Sequence, residues 1–229
     1  VTAARCIRIK IGTNATSGVT GAEQISNGVA ANAHSVAVGG TFGDSGTAAI
    51  DIIADDSVNI TATVDPTISF AITDVAVGFG TLSSSQATWA NSGATGTTSQ
   101  PATSAGAHEM TVATNAASGY TITYNGATLT NGLNTISVAT ITGDADGTPA
   151  SEQFAIAIDD NGGNVTIPSA YDYASNNYSF VAGTTTTLAS ETIATATETI
   201  DVQYIANVAT TTEAGAYSTD VTYIATGNF

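Results

Sequence analysis

His34 and His108 are the only two histidines in the chain and hence its only candidates for acid–base chemistry near neutral pH. A Ser-His-Asp site needs a positioned histidine and an activated nucleophile, and neither histidine accompanies a G-x-S-x-G nucleophile elbow. Paired carboxylates for glycoside cleavage can be drawn from any acidic chain, and nothing here singles out one pair. The sequence therefore predicts that the protein is not an enzyme and that His108, at the start of a strand, lies on the surface.

Two glycine-containing turns, "GDADGTPASE" and "DDNGGN", carry the hard oxygen ligands that Ca²⁺ prefers. Neither is an EF-hand, because Gly147 stands at the fourth place counted from Asp144 and not at the sixth. Asp and Asn in turns also serve backbone geometry, so two interpretations stay open: no cofactor, or a bound calcium ion. The candidate ligands are Asp144, Asp146 and Glu152 in the first turn and Asp159, Asp160, Asn161 and Asn164 in the second.

Covalent modification has few places to occur. Cys6 is the only cysteine, so there is no internal disulfide, and the thiol is either packed as a small apolar group or linked to another chain. Lys10 is the only lysine, which excludes an isopeptide bond within residues 11–229. Four N-x-S/T sequons are candidate N-glycosylation sites: Asn14, Asn59, Asn164 and Asn177.

All positive side chains lie in one short segment near the N-terminus. The chain has 3 Lys and Arg residues against 19 Asp and Glu, a formal net charge of −16. Phosphate binding needs a basic face, so nucleic acid is excluded as a partner. In this segment Ile7, Ile9 and Ile11 alternate with polar or basic residues and predict a strand with one apolar face. The predicted strand is Arg5, Cys6, Ile7, Arg8, Ile9, Lys10 and Ile11, and "GTNATSG" follows it.

Thr, Val, Ile and Tyr favour strands, and the strong helix formers other than Ala are scarce, so the sequence predicts an all-β protein. Short strands are expected at 34–38 and 48–54, and from residue 58 onward the signal is strong. Eight to ten strands separated by turn residues are typical of a sandwich or barrel. No apolar run of about 18 residues exists, which predicts no membrane span. Because the chain lacks an initiator Met and a signal peptide, we expect a mature, processed protein. The predicted strand segments are "VNITATV", "PTISFAI", "VAVGFGTL", "HEMTVATN", "GYTITYNGATL", "NTISVATI", "EQFAIAI", "YSFVAG", "ETIDVQYIANV" and "AGAYSTDVTYIAT".

The last two strand segments, 199–208 and 217–225, predict a hairpin joined by "ATTTEAG". Ile200, Val202 and Tyr204 share one face of the first segment.

Trp89 lies in a long Ser- and Gly-rich loop, where it can contact a glycan or a neighbouring subunit or cap the sandwich, and capping is the preferred interpretation.

Four segments in order, "TATV", "FGTL", "GYTITYNG" and the terminal "AGAYSTDVTYIAT", resemble the spore coat U and archaic chaperone-usher pilin family or a related surface fibre subunit. The resemblance covers residues 58–229. It implies an immunoglobulin-like (Greek-key or jelly-roll) β-sandwich that lacks one strand and is completed by the N-terminal extension of a neighbour. Asp65 and Pro66 stand where the family commonly has a cysteine, and residues 14–57 have no counterpart.

Taken alone, an amphipathic terminal strand is more often an edge strand of its own domain. The resemblance and the clustered charges favour donation of residues 5–11 to a neighbour. We therefore divide the chain into a donor strand (1–12), a Gly/Ser/Ala-rich linker with short strands (13–57) and a sandwich (58–229). The predicted function is an extracellular structural subunit of a pilus or surface filament.

The predicted partners are copies of the same chain in a helical homopolymer, with a host surface or other cells as further partners. The alternative is an adhesin or carbohydrate-binding sandwich that acts as a monomer or within a surface layer.

Overall fold

The computed structural model describes residues 31–41, 43–52 and 58–229. Contacts within the chain divide it into two units, Val1–Thr63 and Val64–Phe229, and each is described by itself. The described elements are strands and two short 3₁₀ helices, so the prediction of an all-β protein is confirmed. No helix among these residues has the length and apolar character needed to cross a membrane.

The first unit contains an antiparallel hairpin of β1 (Ala31–Val38) and β2 (Gly46–Ile52), which confirms the two strands expected there. His34 pairs with Ile50 and Val36 with Ala48, so these four side chains share one face. Val36 and Ile50 are partly exposed. A two-stranded hairpin is marginally stable alone in water, so this element needs further contacts to persist.

The second unit is built from two antiparallel sheets. The larger has the order β3-β5-β11-β8-β9-β7, with β4 paired to the C-terminal end of β11, and the smaller has the order β10-β6-β12. Its 3₁₀ helices are Ser169–Tyr171 and Tyr173–Ser175. The strands are β3 (Ile68–Ile72), β4 (Thr88–Trp89), β5 (His108–Thr114), β6 (Tyr120–Gly126), β7 (Thr140–Ile141), β8 (Gln153–Asp159), β9 (Tyr178–Ser179), β10 (Thr186–Glu191), β11 (Thr195–Asn207) and β12 (Val221–Gly227).

The two sheets face each other across the main core. Alternate residues point inward, as the period of two requires: Ile200, Val202 and Tyr204 from β11, and Ile122 and Tyr124 from β6. Further buried side chains of this core come from β5, β8 and β10 and from the segments that connect the strands. This alternation explains why these strands could be predicted from the sequence.

A second core lies on the opposite face of the larger sheet. Trp89, Tyr173 and Tyr178 pack there against Ile205 and its neighbours on β8. The indole Nε1 of Trp89 donates to the Tyr178 hydroxyl at 3.1 Å, and the indole is fully buried. Trp89 is thus a structural cover on the sheet, and it is not available to a glycan. Because β8 is covered on both faces, its sequence "FAIAI" is continuously apolar.

The predicted hairpin of residues 199–208 and 217–225 is wrong. β11 is a central strand paired with β5 and β8, whereas β12 pairs with β6 in the other sheet. The predicted shared face of Ile200, Val202 and Tyr204 is correct, because all three are buried in the main core. The hydroxyl groups of Tyr204 and Tyr223 hydrogen-bond to each other between the two sheets. Alternation fixes which face of a strand is buried, but it does not tell whether two strands pair edge to edge or pack face to face.

Two other predicted strands form little or no ladder among the described residues. Segment 75–82 makes only a bridge between Gly78 and Asn91. Segment 58–64 has no strand assignment and takes part in no ladder or bridge with another described residue.

Candidate interaction groove

An open groove of about 990 Å³ lies between the residues that follow β3 and the loop that precedes β12. We call it the β12 groove. Its walls are residues 72–84 and 208–223, and its floor is formed by Leu129, Ile136, Phe154 and Tyr204. All four floor residues belong to the buried core of the two sheets. An opening that reaches the core is unusual in a finished sandwich, where edges are normally paired, short or covered.

β12, whose Val221 and Tyr223 line the groove, is an edge strand among the described residues. β6 pairs with it on one side, and no other described strand pairs with it on the other. Cα atoms of β3 and β12 come within 8 Å of each other, but the two strands form no ladder. Alternate N–H and C=O groups of β12 therefore point away from β6 and can accept an added strand.

Local hydrogen bonds hold the wall that precedes β12. Ser218 and Thr130 exchange two backbone bonds of 3.0 Å, and the Tyr217 hydroxyl donates to the Glu213 carbonyl at 2.9 Å. The Thr212 hydroxyl donates to Glu152 at 2.8 Å. These hydrogen bonds hold the loop that forms this wall in place beside the groove.

The opposite wall is fixed by a close approach of two backbones. Gly78 and Asn91 exchange two backbone hydrogen bonds of 3.0 Å. Gly80 has φ +65°, and a Cβ there would lie 2.5 Å from the Thr95 carbonyl oxygen. Only glycine fits this position.

The rim of the groove is acidic. Asp74, Glu213 and Asp220 line it and are exposed. The described part of the chain contains no Lys or Arg, because all three lie at positions 5–10. The groove thus combines an apolar floor with a negative rim, and this suits an apolar segment better than an anion.

A buried polar chain borders the floor. His108 Nε2 and the Tyr204 hydroxyl lie 2.9 Å apart, and Tyr204 bonds in turn to the Tyr223 hydroxyl. Burial lowers the pKa of His108 and raises the pKa of both tyrosines. The prediction of a surface His108 is therefore wrong. Its position in register with inward Met110 and Val112 on β5 was the signal that could have placed it inside.

The predicted donor residues Arg5, Cys6, Ile7, Arg8, Ile9, Lys10 and Ile11 lie outside the described residues, as does Asn14. Asn59 and Asn164 are exposed. Asn177 is half-buried: its Oδ1 accepts from the Gly143 N–H at 2.8 Å, and its Nδ2 donates to the Ser169 carbonyl at 2.7 Å. Glycosylation at these sites stays a prediction.

Three of the seven candidate calcium ligands serve turn geometry in this structure. Asp144, Asp159 and Asp160 each accept a hydrogen bond from a backbone N–H two residues later, at 3.1, 2.8 and 3.1 Å. Within the described ranges, no group of three or more His, Cys, Asp or Glu side chains has a metal-binding arrangement. Calcium binding stays a prediction.

The groove floor was not found from the sequence. Its four residues are spread over residues 129–204 on different elements, so only the folded topology brings them together.

No protein-family model matches the chain, no curated protein matches it, and no solved structure matches its fold.

Proposed function

We propose that this protein is a structural subunit of an extracellular pilus or surface filament, whose copies join head to tail by β-strand addition. In this proposal the second unit is an immunoglobulin-like sandwich that lacks one strand. A segment from the N-terminal part of one copy lies in the β12 groove of the next. The observation that carries the proposal is the groove beside the edge of β12 on which no other described strand pairs.

Added strands gain main-chain hydrogen bonds along the edge and bury alternate side chains in the groove. Each Val or Ile side chain that becomes buried contributes about 1.5–3 kcal/mol. Donor and acceptor are different surfaces, so the contact is heterologous and repeats into an open chain. Arg5–Ile11 remains the donor that the sequence predicts, and the sequons and the lysine-poor composition support an extracellular location.

Filling the groove tests the proposal. Ala216 lines the groove and is exposed, so Ala216→Trp should block an incoming strand without disturbing the fold. Ala102→Trp, on an exposed loop outside the groove, is the matched control. Negative-stain microscopy and sedimentation velocity should show long uniform threads for the wild type and the control, and monomers for Ala216→Trp with an unchanged melting temperature.

Threads that persist in Ala216→Trp, or a wild type that stays monomeric at high concentration, would contradict the proposal. A monomer that binds a glycan would instead favour the adhesin.

A further inference from the structure

Residues 58–64, "VNITATV", form a strand in pattern but not in the structure. Val58, Ile60, Ala62 and Val64 alternate with Asn59, Thr61 and Thr63, and Val, Ile and Thr favour strands. Yet Val58, Ile60 and Val64 are 85, 87 and 83% exposed. Among the described residues this segment has no strand partner, so its apolar face is left in water.

The β12 groove could accept such a segment. Among the described residues β12 has no strand partner on the side away from β6, and the groove beside that edge is lined by half-buried apolar side chains such as Val77, Phe79 and Tyr223. Seven residues in strand conformation span about 23 Å, and β12 also has seven residues. The segment thus matches β12 in length, and its apolar side chains suit the part of the groove where Val221 and Tyr223 of β12 line it.

We propose that residues 58–64 of one copy lie in the β12 groove of a second copy as an added strand on β12. Val58, Ile60, Ala62 and Val64 face the apolar walls of the groove, and Asn59, Thr61 and Thr63 face solvent. This inference rests on the proposed function and replaces Arg5–Ile11 with residues 58–64 as the donor.

The connection to β3 favours a second copy over the segment's own sandwich. Asn115 donates from Nδ2 to the Asp65 carbonyl at 2.7 Å, and its Oδ1 accepts from the Thr67 N–H at 2.7 Å. Pro66 restricts Asp65 to extended backbone. The chain therefore enters β3 in a fixed, extended course beside Asn115, whereas the groove lies at the other end of β3, from Ile72 onward.

Thiol labelling of the full chain tests this placement. In a Cys6→Ser background, Ile60→Cys puts a thiol on the apolar face and Thr61→Cys puts one on the polar face as the matched control. Both positions are exposed in the single chain, so neither change should disturb folding. In assembled threads we expect Cys at position 60 to react at least about tenfold more slowly than in monomers, and Cys at position 61 to react at a nearly unchanged rate.

Paired charge substitutions give a second measurement. Ile60→Asp should abolish threads, whereas Ile9→Asp should leave them intact. Threads in which both thiols stay reactive, or threads that survive Ile60→Asp and are lost in Ile9→Asp, overturn this inference and leave the proposed function standing. Monomers that already protect the thiol at position 60 overturn it too, because the segment then occupies its own groove. A wild type that forms no threads overturns both.

Discussion

Asp201 is a buried carboxyl group on the outer face of the larger sheet. It is 1% exposed, and neither carboxylate oxygen has a well-formed hydrogen bond among the described residues. Its cross-strand neighbours on the same face are Glu109 and Asp159. Burial raises the pKa of Asp201 and the Glu109 charge raises it further, while the Gly106 N–H offsets part of the rise. An ionised Asp201 is therefore a cost to the fold.

Asp201→Asn should stabilise the protein at pH 7. A carboxyl whose folded pKa exceeds its unfolded value contributes stability that is fully present below the unfolded pKa, about 3.9, and that is lost as the pH rises through the folded pKa. The variant removes that loss, so its unfolding free energy should exceed the wild type's at pH 7. Urea denaturation at several pH values measures this, and the difference should shrink toward pH 4. Asp146→Asn, at an exposed position, is the control, and an equal gain there would contradict the argument.

Tyr204 links His108 and Tyr223 beside the groove floor. Tyr204→Phe leaves buried His108 and half-buried Tyr223 without this hydroxyl, and we expect a loss of about 1–3 kcal/mol in unfolding free energy. Tyr217→Phe is the matched control, because its hydroxyl bonds to the carbonyl of exposed Glu213. Chemical denaturation of both variants decides the matter. An equal loss of unfolding free energy in Tyr217→Phe and Tyr204→Phe would contradict the argument that the hydrogen bonds of Tyr204 stabilise the fold more than an exposed one does.

At the scale of elements, Gly119 allows the start of β6 to lie close against the end of β10. It has φ +69°, and a Cβ there would lie 2.0 Å from the Glu191 carbonyl oxygen. Gly183 has the same φ, with nothing within 4 Å of the position a Cβ would take. Both alanine variants incur the left-handed strain of about 1–3 kcal/mol, but only Gly119→Ala also pushes two strands apart. Thermal unfolding should show a clearly larger drop for Gly119→Ala, and equal drops would contradict the packing argument.

The elements also show what sequence patterns can predict. β5, β6, β8 and β11 were predicted because alternating or continuously apolar residues report burial directly. Residues 75–82 and 134–141 carry the same pattern, yet they form only bridges and the short strand β7. Val77 and Phe79 line the groove wall, and Ile136 and Ile141 are buried in the two cores, so an apolar pattern reports burial without requiring a ladder. The pairing of β12 with β6 depends on contacts about a hundred residues apart, and no local pattern encodes it.

At the scale of the whole molecule, charge separates the two candidate donors. The described residues include acidic side chains but no Lys or Arg, and the net charge of the chain is −16. Residues 58–64 carry no charge, whereas residues 5–11 carry all three basic side chains. A neutral donor leaves the repulsion between copies uncompensated, and a basic donor would meet the acidic rim.

Assembly should therefore strengthen with salt if residues 58–64 are the donor. Raising NaCl from about 0.01 to about 0.1 M shortens the Debye length from about 30 to about 10 Å and screens the repulsion between copies. The triple variant Asp74→Asn, Glu213→Gln, Asp220→Asn should assemble at lower concentration than the equally charged control Asp144→Asn, Asp146→Asn, Asp160→Asn, because its changes lie at the contact. Sedimentation at both salt concentrations measures the critical concentration. Salt that weakens assembly, together with a rim variant that assembles less well than the control, would instead show that a basic strand enters the groove.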